Sequence, residues 1–109
     1  MNYKEYFKLY KEELQKDNNK KDDPNNQYYC ASKILSKMFN EIDEIIDTRK
    51  VRTASTMIAI LNEQNIKANA FIRMVNKEYP SGIKKDLFKT FVQVLMPELL
   101  LIGWSKKEK

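Results

Sequence analysis

The sequence predicts an all-α fold, a compact bundle of about five helices. Apolar residues recur at intervals of three and four along most of the 109 residues, and the few β-rich runs fall inside that helical spacing. Only two glycines and three prolines occur, so few positions force a helix to end. A chain of this length forms one domain and can bury a core without disulfides or metals.

The first predicted helix is an amphipathic N-terminal helix over residues 1–16. Its apolar stripe contains Tyr3, Tyr6, Phe7, Tyr10 and Leu14, whose neighbours on the stripe are three or four residues apart. The spacing favours packing of these tyrosines on the domain with their hydroxyls at the solvent edge; stacking on bases or lining a partner groove is the alternative. Residues 17–27 contain no apolar side chain and predict a polar linker.

Residues 28–104 are predicted to form the helical core domain, followed by a frayed tail over residues 105–109. The predicted helices cover residues 27–47, 53–65, 69–79 and 83–96, and Pro97 begins a short last turn. The strongest of these helices carries a wide apolar stripe: Tyr28, Ala31, Leu35, Met38, Phe39, Ile42, Ile45 and Ile46. The break at Asn65-Ile66-Lys67 is short, so the helices on either side of it are expected to pack at an angle.

The residue inventory excludes most catalytic chemistry. One cysteine, Cys30, and no histidine leave no intramolecular disulfide, no Cys/His zinc site and no Cys–His or Ser–His pair. Cys30 is expected to be a small buried hydrophobe. The acidic cluster Glu41, Asp43, Glu44 and Asp47 lacks the alternating ligands and central glycine of an EF-hand loop. We therefore predict no enzyme, no metal and no cofactor.

The hydropathy pattern also bears on location. No apolar run reaches the 18 residues of a membrane span. The start of the chain lacks the apolar core of a signal peptide. A cytoplasmic protein without a membrane partner is the expectation.

Positive charge is concentrated in the C-terminal part of the chain. Residues 67–109 contain nine basic and four acidic side chains, which accounts for the whole net charge of +5. A basic surface of this kind attracts polyanions such as nucleic acids. A solvated surface of mixed charge is the alternative interpretation.

Residues 53–79 resemble the helix-turn-helix DNA-binding proteins of mobile elements. The resemblance lies in the run MIAILNEQNI at 57–66, where Asn65 takes the position of the usual turn glycine and Ile66 that of the buried residue after it. It implies a helix-turn-helix-like core with a recognition helix at about 69–79. The base-facing residues would be Asn69, Arg73 and Asn76. The phosphate contacts would be Arg49, Lys50, Arg52, Lys67, Lys77, Lys84 and Lys85.

Two functions follow from these observations as hypotheses. The first is a non-enzymatic DNA-binding regulator or accessory protein, with double-stranded DNA as the partner. The second is a protein-interaction module, an inhibitor or adaptor, that binds a protein through the first helix or the C-terminal apolar segment. Homodimerisation through that segment stays open as well.

Overall fold

A computed structural model describes residues 1–47 and 53–104 of the protein. The α-helices in these ranges are α1 (Tyr3–Gln15), α2 (Pro24–Asp47), α3 (Ala54–Glu78) and α4 (Leu87–Leu95), and 3₁₀ turns cover Asn18–Lys20 and Pro97–Ile102. The predicted all-α class is confirmed. The described ranges contain four α-helices where about five were expected.

The core lies between α1, α2 and α3, each of which contacts the other two. The short helix α4 packs on α2 and α3, and the 3₁₀ segment Pro97–Ile102 packs on α4. The largest fully buried side chains are Tyr6, Tyr10, Leu14, Leu35, Met38, Ile42, Leu61, Phe71, Ile72, Val75, Phe88 and Val92. Every α-helix contributes to this list, so the four helices share one apolar core.

The tyrosine stripe of α1 packs into the core as expected, but the hydroxyls of Tyr6 and Tyr10 are not at the predicted solvent edge, because both side chains are fully buried. The helix begins with a capping box, in which Asn2 and Glu5 exchange side-chain to backbone hydrogen bonds. The Tyr6 hydroxyl donates to the Glu41 carboxylate on α2, and burial together with this bond raises the pKa of the phenol. The Tyr10 hydroxyl is buried without a partner instead of lying at the solvent edge. Neither ring is available to bases or to a partner groove.

Helix α2 begins within the segment predicted as a linker. Pro24 is its first residue, a position at which proline has no hydrogen bond to lose. The Gln27 side chain is buried and donates to the backbone carbonyl of Lys21 at 3.0 Å. Tyr28, predicted to face inward, is exposed, and Cys30 is buried as expected.

Helix α3 runs without interruption through the predicted break at Asn65-Ile66-Lys67. The two-helix interpretation of residues 53–79 is therefore wrong for this structure. No glycine or proline occurs between Ala54 and Glu78, and asparagine inside a helix costs less than about 0.7 kcal/mol relative to alanine. Buried Leu61 and Gln64 before the break, and Ala68 and Phe71 after it, continue one helical stripe that packs on the same core.

The connection after α3 begins where the predicted helix over residues 69–79 was expected to end. Helix α3 ends at Glu78, just before Tyr79-Pro80, and Gly82 adopts a left-handed backbone with φ of 73°. Helix α4 begins at Leu87, four residues later than predicted. In this structure the Ile83 N–H and carbonyl are hydrogen-bonded to the side chain of Asn76, and the helix begins only after this anchored residue.

Candidate nucleic-acid interface

Asn76 fastens the connection after α3 to the end of that helix. Its side-chain amide donates to the Ile83 carbonyl at 2.8 Å, and its side-chain oxygen accepts the Ile83 N–H at 3.1 Å. The same oxygen accepts the Ser81 hydroxyl at 3.3 Å. We call this arrangement the Asn76 clasp. Through it, the residues that follow Ile83 are held beside the C-terminal end of α3.

Four cations lie on the two segments that the Asn76 clasp joins. Arg73 and Lys77 are exposed on α3 at the i,i+4 spacing that places two side chains on one side of a helix. Lys84 and Lys85 are exposed and follow Ile83 directly. We call these four residues the basic corner.

None of the four cations of the basic corner forms an ion pair with a described side chain. The ion pairs among the described side chains join Glu13 to Lys16 and to Lys33, at the opposite end of the sequence. Between residues 67 and 89 the sequence contains six lysines and arginines against two carboxylates, Glu78 and Asp86. The excess positive charge is therefore free to attract an anion.

The three predicted base-facing residues occupy different environments. Arg73 is exposed. Asn76 is half-buried and its amide is engaged in the clasp. Asn69 is also half-buried, and its side-chain oxygen is buried without a hydrogen-bond partner. Base contact by these residues stays a prediction, and Arg73 alone among them extends into solvent.

Three asparagines of α3 share a stripe to which later parts of the chain are hydrogen-bonded at two points. Asn62, Asn69 and Asn76 follow one another at intervals of seven, which places them on one side of α3. The Trp104 indole N–H donates to the Asn62 side-chain oxygen at 2.8 Å, just as Ile83 is tied to Asn76. The stripe therefore fastens the C-terminal segment to α3 at two points.

The predicted phosphate contacts are only partly described. Lys77, Lys84 and Lys85 belong to the basic corner. Lys67 is half-buried and lies ten residues before Lys77 on α3. The remaining predicted contacts, Arg49, Lys50 and Arg52, lie outside the described residues. The basic corner thus unites three of the seven predicted phosphate contacts with the exposed base-facing candidate.

Ile66 is exposed, although the helix-turn-helix interpretation predicted that it is buried. It was expected to be buried behind a turn, yet its side chain is 68% exposed. Counting about 100° per residue along one continuous helix places Ile66 about 20° from Arg73, seven residues later. That count would have revealed the exposure if the break had not been assumed.

The described residues hold no cluster of side chains suited to binding a metal ion. No three carboxylate, cysteine or histidine side chains in residues 1–47 and 53–104 gather closely enough to hold a metal ion. Burial raises the pKa of the Cys30 thiol, which disfavours the reactive thiolate. Hydrogen bonds from Lys16 and Lys33 lower the pKa of the Glu13 carboxyl, so this acid serves in a surface ion pair that links α1 to α2.

Comparisons with known proteins add no assignment. No family model, curated protein or solved structure matches this chain. In the described ranges, no helix has both the length and the apolar character needed to cross a membrane. The basic corner and the surfaces around it are the features of this protein that bear on its function.

Proposed function

We propose that this protein is a non-enzymatic DNA-binding protein, a small regulator or accessory protein, that holds the backbone of double-stranded DNA with its basic corner. The observation that carries the proposal is the Asn76 clasp, which ties the loop of Lys84 and Lys85 to the end of α3 that carries Arg73 and Lys77. None of these four cations forms an ion pair with a described side chain. Phosphate contacts set the position of a protein on a duplex, and base contacts add specificity. In this proposal the amide of Asn76 acts by holding the loop, and Arg73 faces the bases.

Fixing the loop matters for affinity. Cations on a mobile loop lose conformational entropy when they bind a phosphate, whereas cations on a loop that is already tied down lose less. Each phosphate that the protein neutralises releases counterions and adds about 0.9 to the slope of log affinity against log salt. A binding surface of four cations predicts a salt dependence that a simple titration detects.

The variant Lys84→Gln/Lys85→Gln tests this proposal. It removes two exposed charges from the basic corner without touching the buried core, so the fold is expected to remain intact. We expect weaker binding to duplex DNA and a salt slope smaller by about 1 to 2. The measurement is a fluorescence-anisotropy titration of labelled duplex DNA at several salt concentrations.

A matched variant, Lys4→Gln/Lys8→Gln, separates a local site from general attraction. Both of these lysines are exposed on α1, and the variant has the same net charge as the corner variant. The local proposal requires that this control bind DNA nearly as well as the wild type. Equal losses in the two variants would show that only the total charge matters, and a wild type without salt-sensitive binding would remove the proposal.

The C-terminal segment supports a second candidate, a protein-interaction module. Val94, Leu95 and Leu101 are 71%, 56% and 88% exposed, whereas Gln93 is buried with neither of its amide atoms hydrogen-bonded. A helix that exposes apolar residues and buries a polar one is typical of a surface that binds another protein. The first helix no longer supports this candidate, because Tyr6 and Tyr10 lie in the core.

Val94→Ser/Leu101→Ser tests the second candidate. Both side chains are exposed, so we expect a change of less than about 0.5 kcal/mol in the free energy of unfolding. If this surface binds a second copy of the chain, the molar mass measured by light scattering rises with concentration for the wild type and for Lys84→Gln/Lys85→Gln, but not for the serine variant. A wild type that stays monomeric at all concentrations would exclude self-association through this surface.

A further inference from the structure

Ile66 stands on the outer side of α3 in line with the basic corner. Its side chain is 68% exposed, and Arg73 follows seven residues later on nearly the same side of the helix. The other large apolar side chains of α3 are buried or half-buried against the core. What distinguishes Ile66 from an isolated exposed side chain is this alignment with Arg73 and Lys77.

The neighbours of Ile66 allow a close approach to a binding partner. Ala59 lies seven residues before it and is exposed, and Ala70 lies one turn after it and is half-buried. Because both are small, a flat or grooved surface can come near the helix on this side. Between Ile66 and Arg73, the residues one turn after Ile66 are Asn69 and Ala70, and both are half-buried.

The chemistry of the two side chains matches the major groove of DNA. The only apolar group on the base edges there is the 5-methyl group of thymine, whereas the guanine edge offers two acceptors to an arginine. Seven residues of helix rise about 10.5 Å. That length corresponds to about three base pairs at a rise of about 3.4 Å each.

We propose that Ile66 is a specificity-determining residue that contacts a thymine methyl group about three base pairs from a guanine bound by Arg73. This inference rests on the proposed DNA binding and adds a residue and a base to it. It also explains why an isoleucine occupies an exposed position in a helix whose other large apolar side chains are buried or half-buried.

Deoxyuridine substitution tests the inference directly, because deoxyuridine pairs like thymidine and lacks only the methyl group. A preferred duplex is first selected from a random pool, and each thymine near the selected guanine is then replaced in turn. We expect the wild-type affinity to fall about fourfold at one position, the equivalent of the ~0.8 kcal/mol of a buried methyl group. Ile66→Ala is expected to bind the thymine and deoxyuridine duplexes equally.

Two comparisons complete the test. Ile66→Val keeps a branched apolar side chain and should retain part of the discrimination, and circular dichroism should show Ile66→Ala folded like the wild type. Salt-sensitive DNA binding without a preferred sequence or without a deoxyuridine effect overturns the role of Ile66 and leaves the proposed function standing. A deoxyuridine effect that persists in Ile66→Ala overturns it as well. Absence of DNA binding overturns both.

Discussion

Replacing Ile66 with proline is expected to lower the free energy of unfolding by about 3 kcal/mol or more. The residue lies in the middle of the 25-residue helix α3, so proline removes one helical hydrogen bond and its ring clashes with the carbonyl of the preceding turn. Little packing is lost, because the isoleucine side chain is largely exposed. Urea denaturation followed by circular dichroism measures the change.

Ile66→Ala is the matched control for the proline variant. It removes the same exposed side chain while keeping the backbone N–H, and alanine favours the helix more than isoleucine does. We expect its free energy of unfolding to remain within about 0.5 kcal/mol of the wild type. A proline variant as stable as the alanine variant would show that α3 is broken near residue 66, as in a helix-turn-helix pair.

Asn76→Ala is expected to destabilise the protein by about 2–4 kcal/mol. The change removes all three hydrogen bonds of the Asn76 clasp and leaves the N–H and carbonyl of Ile83 without their partner. It also frees the loop that carries Lys84 and Lys85, so DNA binding should weaken beyond what the loss of one neutral side chain explains. Thermal unfolding and the anisotropy titration measure the two effects.

Asn69→Ala offers a control of the same residue type on the same stripe of α3. The Asn69 side-chain oxygen is buried and accepts no hydrogen bond, so its removal should cost less than about 1 kcal/mol or stabilise the protein. The contrast between the two asparagines isolates the clasp from the general effect of shortening an amide side chain. Equal destabilisation by both variants would mean that the clasp does not order the loop.

Local sequence patterns were sufficient to predict most of the helices. The aromatic spacing of Tyr6 and Tyr10 identified α1 and its buried side, because a stripe of this width has to be covered. Pro80 follows the end of α3 closely, in agreement with the predicted helix end at residue 79, whereas Pro24 begins α2 inside the segment predicted as a linker. These signals depend on backbone chemistry within a few residues, which is why they are readable without tertiary information.

The predicted break at Asn65 failed because its energetic signal is small. Asparagine tolerates the left-handed backbone of a turn, yet it also enters a helix at a cost of less than about 0.7 kcal/mol. Packing in the core favours the continuous helix over a turn, because the continuous helix buries Leu61, Ala68 and Phe71 together. Sequence spacing near Asn65 fits both outcomes, and contacts with α1 and α2 decide between them.

The environment of the asparagines could not be predicted from α3 alone. A polar stripe normally faces solvent, and the sequence pattern around Asn69 and Asn76 predicts the same. The structure differs because Ile83 and Trp104 return to this stripe from positions later in the chain. Such long-range hydrogen bonds leave no periodic signal in the sequence. The sequence therefore identified Arg73 as an exposed candidate but not the structural role of Asn76.

The continuity of α3 has a consequence for how the protein loses its structure. This helix contacts α1, α2 and α4, so no α-helix of the described ranges lacks contact with it. In a pair of separate helices, the part after the turn could open while the part before it stayed closed. A single helix shared by all the others couples these regions, so amide hydrogens throughout α3 should exchange with solvent through one cooperative opening.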